Sequence, residues 1–96
     1  MSSRGYTEPT DVRTTEAADD EFLKLPLRMR ARVLLVYERL ERWPEVSGHK
    51  ALRADWAGFS SLRTGDYRVI FHLLPEPDDP QFIEVVRVAH RRDVYD

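Results

Sequence analysis

Two runs of alternating side chains, Phe59-Ser60-Ser61-Leu62-Arg63 and Tyr67-Arg68-Val69-Ile70-Phe71-His72-Leu73, flank Thr64-Gly65-Asp66. Few arrangements of the chain satisfy that pattern. A glycine-containing turn between β-type runs reverses the chain into a hairpin. With Gly65 and Asp66 at the turn, Thr64 pairs with Tyr67, Arg63 with Arg68, Leu62 with Val69 and Ser61 with Ile70. Alternation then assigns Leu62, Tyr67, Val69, Phe71 and Leu73 to one face of a sheet. The other face receives Phe59, Ser61, Arg63, Arg68, Ile70 and His72.

Upstream, the hydrophobic period is that of helices. Met29, Val33, Val36, Tyr37 and Leu40 recur at three- and four-residue steps, which predicts a helix from Leu27 to Trp43 ended by Pro44. An earlier helix starts at an N-cap, Thr14 or Thr15, with Glu16, Asp19 and Asp20 beside its positive end. It turns Ala17, Ala18, Phe22 and Leu25 inward and stops near Pro26. Two helices so closely joined form an antiparallel hairpin. Asp11 to Thr14 reads as a short edge strand, and residues 1–10 read as a loose tail ahead of a single domain over 11–96. Pro44 to Asp55 reads as a loop. Pro75 to Pro80 reads as a polar turn that no strand accommodates. A last strand runs from Phe82 to Ala89, with Val86 and Val88 inward and Arg87 and Arg91 outward. The predicted fold is α+β: an N-terminal helix hairpin packed on one face of a small antiparallel β-sheet.

Ninety-six residues with 42% hydrophobic and 33% charged side chains suit one globular core. The absence of cysteine excludes disulfides, zinc–thiolate sites and thiol nucleophiles. The longest apolar run, Val33 to Tyr37, is too short to cross a bilayer, and no signal sequence is visible, so a membrane role is not expected and a cytoplasmic one is. The net charge of −2 predicts no general affinity for polyanions. The cationic residues are nevertheless uneven. Residues 27–56 carry seven basic and four acidic side chains, and the hairpin and last strand set Arg63, Arg68, Arg87 and Arg91 on the face away from the helices. Guanidinium groups gathered in that way either bind an anion, phosphate above all, or are neutralised by Glu84, Asp93 or the acidic N-terminal segment. Arg63 either pairs with Asp66 or supports Arg68. His90 falls on the core side by parity, where it is either hydrogen-bonded or available as acid or base.

The run Leu62-Arg63-Thr64-Gly65-Asp66-Tyr67-Arg68-Val69-Ile70-Phe71, followed by Val86-Arg87-Val88-Ala89-His90-Arg91-Arg92-Asp93-Val94-Tyr95, closely resembles the RelE/ParE superfamily of bacterial toxins. The helix pair with Leu25-Pro26 and the loop with Lys50, Leu52 and Trp56 match that layout, so the resemblance spans about Val12 to Tyr95. It implies a toxin held by a cognate antitoxin. In the RelE branch such a toxin works on the ribosome, without a metal or other cofactor, by letting the mRNA 2′-hydroxyl attack the adjacent phosphate. Carried over by position, Arg68 and Arg91 bind the scissile phosphate, Tyr95 stacks on a base or assists proton transfer, and His90 serves as base or acid. Arg63, Ser61 and Arg87 become substrate contacts. Two departures motivate the alternative of a ParE-like inhibitor of DNA gyrase, or of a degenerate antitoxin-binding member. Ser61 stands where many relatives have a basic residue, and the chain is acidic where ribosome-directed members tend to be basic. Ala89 replaces the glycine that usually precedes the histidine.

Overall fold

The computed structural model describes residues 9–76 and 79–94. In chain order the elements are β1 (Asp11–Thr14), α1 (Glu16–Leu23), α2 (Leu27–Leu40), β2 (Lys50–Ala51), a 3₁₀ turn (Ala54–Trp56), β3 (Ser60–Thr64), β4 (Tyr67–Glu76) and β5 (Asp79–His90). The strands form one sheet in the order β1-β5-β4-β3-β2, antiparallel throughout except for the β1–β5 pair. Both helices pack on one of its faces, giving the predicted α+β arrangement.

Local chemistry explains the helices. Thr15 is the N-cap of α1, its side chain accepting a hydrogen bond from the Ala18 amide at 3.1 Å. Pro26 is the N-cap of α2, where a missing N–H costs nothing. Arg30 ties the helices together by donating to the carbonyls of Leu23 and Leu25. Ala18 and Leu25 of the first segment are buried and Phe22 is half-buried, whereas Ala17 faces solvent, contrary to expectation. From α2 the predicted stripe of Val33, Val36 and Leu40 is buried. It joins Leu62, Val69, Phe71, Ile83, Val85 and Val88 of the sheet in the main core.

The β3–β4 register is the predicted one, from Thr64↔Tyr67 to Ser60↔Phe71. Gly65 has φ +60°, which a turn of the II′ kind requires at its first central residue. A Cβ there would meet Arg32 Nη1 at 3.5 Å, so the start of α2 lies over the turn.

Three expectations are corrected. Strand structure continues into the proline-rich stretch, with β4 reaching Glu76 and β5 beginning at Asp79. β3 accompanies β4 only to Phe71 and β1 joins β5 only from Phe82, so Pro75 and Pro80 have a free outer side where no ladder N–H is required. Residues 77 and 78 lie outside the described residues. The predicted loop before Asp55 contains β2, paired with Ser60 and Ser61. Finally, Val86 does not share a face with Val88. Pairing passes from Ile70↔Arg87 to Phe71↔Val85, leaving Val86 as the extra residue of a β-bulge. The bulge re-phases β5, so that Val85 and Val88 both enter the main core while Val86 packs on the other face.

Candidate functional site

The face away from the helices is divided into two regions. Its centre is covered by a second apolar cluster in which Ile70, Ala89 and Val94 are buried against Leu52, Trp56, Phe59 and Val86. Phe59 stacks on His72 at 4.3 Å between ring centroids, and His72 Nε2 lies 2.8 Å from Glu84 Oε1. Glu84 thus engages a histidine, and among the described residues no ion pair joins it to Arg63, Arg68 or Arg91. Ser61, expected at the surface as a substrate contact, is only 2% exposed.

The second region, at the β3–β4 turn, stays open. Arg63 and Arg68 are directly opposed in the ladder and therefore project from the same face. Neither makes a hydrogen bond or an ion pair among the described residues. Elsewhere in the chain Arg30 and Arg39 donate to main-chain carbonyls, Arg39 to that of Ser47 at 2.7 Å. Ala89 is the β5 partner of Arg68, and the small side chain leaves room beside the guanidinium.

Arg91 reaches the same end of the sheet through its backbone. Its amide donates to the Asp66 carbonyl at 2.7 Å, which docks the C-terminal turn against the hairpin. The side chain is 56% exposed, and its Nε lies 3.8 Å from Asp66 Oδ1, a loose pair across solvent. Such a pair is weak, so a phosphate can displace it. The backbones of Arg63, Arg68 and Arg91 thereby lie at one end of the sheet.

Two other candidates are placed elsewhere. His90 is paired with Tyr67, whose ring meets it edge-on at 5.4 Å, and so faces the helix side, opposite Arg68. Its Nδ1 accepts a hydrogen bond from the Arg92 amide at 3.2 Å. In the neutral ring the proton then sits on Nε2. Arg87 lies at the sheet edge, where its Nε and Nη2 donate to Glu21 Oε2 at 3.2 and 2.8 Å and its Nη1 donates to the Val94 carbonyl at 2.9 Å. Arg87 keeps the outward parity expected of it, opposite Ile70, and its guanidinium is neutralised by Glu21 of the acidic N-terminal segment, one of the two outcomes that the sequence left open. Tyr95 lies outside the described residues. Glu21 was not singled out by the sequence, where it reads as an ordinary acid on a helix.

The open region can hold an anion and stabilise added charge on it. Arginine keeps its proton, so none of the three is a base; their chemistry is electrostatic and directional. The described residues contain no cluster of three or more His, Asp or Glu suited to a metal ion, and no described helix is long and apolar enough to cross a membrane. A groove at the far end of α2 is lined by Glu38, Glu41, Glu45, Arg42 and Trp43, with three carboxylates to one guanidinium. Its carboxylates disfavour phosphate.

Comparison with known proteins agrees with this geometry. The family described as the ParE toxin of type II toxin–antitoxin system, parDE, matches residues 12–95. Toxin RelG of Mycobacterium tuberculosis is 36% identical over 88 residues, covering 91% of this chain and 97% of that protein. The toxin–antitoxin complex RelBE2 from the same organism contains a chain that superposes with a TM-score of 0.72 at 34% identity, covering 86% of this chain and 99% of that one. A YoeB/ParE toxin from Agrobacterium tumefaciens shares the fold with a TM-score of 0.69 at 21% identity, over 84% of this chain and 98% of its own.

Proposed function

The chain belongs to the ParE toxin family of type II toxin–antitoxin systems, and from that premise we propose that it acts on the ribosome as a metal-independent mRNA endonuclease. The observation that carries this reading is the opposed pair of Arg63 and Arg68, without an ion-pair partner among the described residues, with the Arg91 backbone brought to the same end of the sheet. In the proposed reaction the 2′-hydroxyl attacks the adjacent phosphorus, the bond to the 5′-oxygen breaks, and a cyclic phosphate forms. One proton leaves the attacking hydroxyl and one reaches the leaving oxygen. Arg68 and Arg91 take the non-bridging oxygens, whose charge grows in the transition state; a preorganised donor of this sort is worth about 3 kcal/mol. Arg63 holds the neighbouring backbone. Tyr95, by resemblance, stacks on a base or assists a proton transfer. His90, on the other face, supports the turn and takes no direct part.

The proposed partner that restrains the toxin is a cognate antitoxin. The relatives from M. tuberculosis and Methanococcus jannaschii are described as toxin–antitoxin complexes. Leu23, Leu27, Leu34 and Leu35 are large apolar side chains left exposed on the helix hairpin, whose second helix also carries Arg28, Arg30, Arg32 and Arg39. An acidic segment that folds on binding fits that surface. On this reading the toxin works in the bacterial cytoplasm.

The test is expression without an antitoxin, followed by primer extension on translated messages. Cuts inside coding regions that vanish with Arg68→Ala are expected. The buried, uncharged Ser61 favours a second reading, inhibition of DNA gyrase. Trapped DNA–gyrase complexes with intact messages would select it.

A further inference from the structure

β1 ends at Thr14, paired with Val85, and the Thr15 amide makes the last bond along that edge of β5, to the Val85 carbonyl at 3.0 Å. The outward N–H of Val88 would therefore lack a partner. Glu21, near the end of α1, supplies it: Oε1 accepts from the Val88 amide at 2.8 Å. Its other oxygen accepts twice from Arg87, whose Nη1 reaches the carbonyls of Val94 at 2.9 Å and Asp93 at 3.4 Å. One carboxylate thus joins α1 to β5 and, through a guanidinium, to the 91–94 turn. Both side chains are largely enclosed, Arg87 being 23% and Glu21 27% exposed.

We propose that Glu21 and Arg87 form a latch that holds the C-terminal turn in place and so positions Arg91 for phosphate. Arg87 is a positioning residue, and its donors are committed to protein acceptors. Val94, which it grips, is buried against Ile70 and Ala89 on the sheet face beside Arg68. Arg91 docks on the hairpin turn three residues earlier. Lysine cannot replace this arrangement, because an ammonium lacks the planar fork that serves Glu21 and two carbonyls together. The catalytic part of the proposal rests on the endonuclease reading; the structural part does not.

The two roles open to Arg87 give opposite results for Glu21→Gln. If Arg87 contacted RNA, removing its counter-charge would leave cleavage unchanged or faster. With the latch, cleavage slows. Glu21→Gln and the milder Arg87→Lys are made in the full-length toxin, and two quantities are measured. Hydrogen exchange is expected to accelerate about ten-fold or more at the Val88, Arg91 and Asp93 amides, with Val69 and Phe71 unchanged. Cleavage on programmed ribosomes is expected to lose about ten-fold in kcat, with KM altered less than two-fold. Should Glu21→Gln fail to fold, Arg87→Lys reports the same two quantities. Unaltered exchange at Arg91 and Asp93 in the folded variants overturns the latch. Accelerated exchange with full kcat, while Arg68→Ala is inactive, overturns its role in positioning Arg91. If Arg68→Ala also cleaves normally, the endonuclease reading has failed and exchange alone decides the latch.

Discussion

Arg63 and Arg68 face each other across the β3–β4 ladder, and no carboxylate among the described residues neutralises either guanidinium. Like charges directly opposite on adjacent strands weaken a sheet by roughly 0.2–1 kcal/mol. An anion between them reverses the sign. The pair therefore sets binding against stability, and the first expectation follows. Arg68→Ala should leave the fold as stable as before or about 0.5 kcal/mol more so, while growth arrest is lost. Urea unfolding read beside a plating assay checks both, and a large loss of stability in the variant would assign Arg68 to the scaffold.

The same pair should respond to simple anions. Inorganic phosphate should raise the melting temperature of the isolated toxin by mass action, and the rise should shrink in Arg63→Ala and in Arg68→Ala. An equal rise in all three proteins would place the anion elsewhere.

The bulge makes a prediction that separates two adjacent valines. Val85 is buried in the main core, whereas Val86 is half-exposed on the other face. Val85→Ala should cost roughly 2 kcal/mol and Val86→Ala well under 1 kcal/mol, judged by the apolar surface each returns to water. Denaturant midpoints compare them directly; equal costs would show that the strand lacks the register shift.

Tyr37 has a buried hydroxyl with no hydrogen-bond partner among the described residues. Burial first, then the nearby charges of Asp19 and Glu21, pushes its pKa up to about 12. In the unfolded chain the ordinary value is 10.0. Its contribution to stability is therefore complete below pH 10 and is lost as the pH rises toward 12, because only the unfolded state gives up the proton readily. Tyr37→Phe should be neutral to about 1 kcal/mol stabilising at pH 7, and should unfold less steeply with pH across that alkaline interval. Urea titrations at several alkaline pH values measure the difference.

At the start of α1, Thr15→Ala should lower stability by about 1 kcal/mol through loss of the cap to the Ala18 amide. Thr15→Asp should retain most of it. Thermal melts of the three proteins suffice.

Local rules were enough to specify the hairpin, the helix pair and the inward stripes, because each depends on residues within a few positions of one another. Gly65 dictated the turn, alternation carried Leu62, Val69 and Phe71 into the core, and the period of α2 selected Val33, Val36 and Leu40. The grouping of Arg63 with Arg68 followed from the same register. What the linear pattern left open was decided by contacts distant in sequence. Val85-Val86-Arg87-Val88 supports two phases equally well, and only packing against α1 and the central strands selects the bulge. The prolines near residues 75–80 read as breakers until it is known that no neighbouring strand needs their missing N–H. Glu21 acquires its partners 66 and 67 positions away. Whether an arginine is a free cation or a structural tie depends on where a carboxylate arrives in space, and that is a property of the assembled fold.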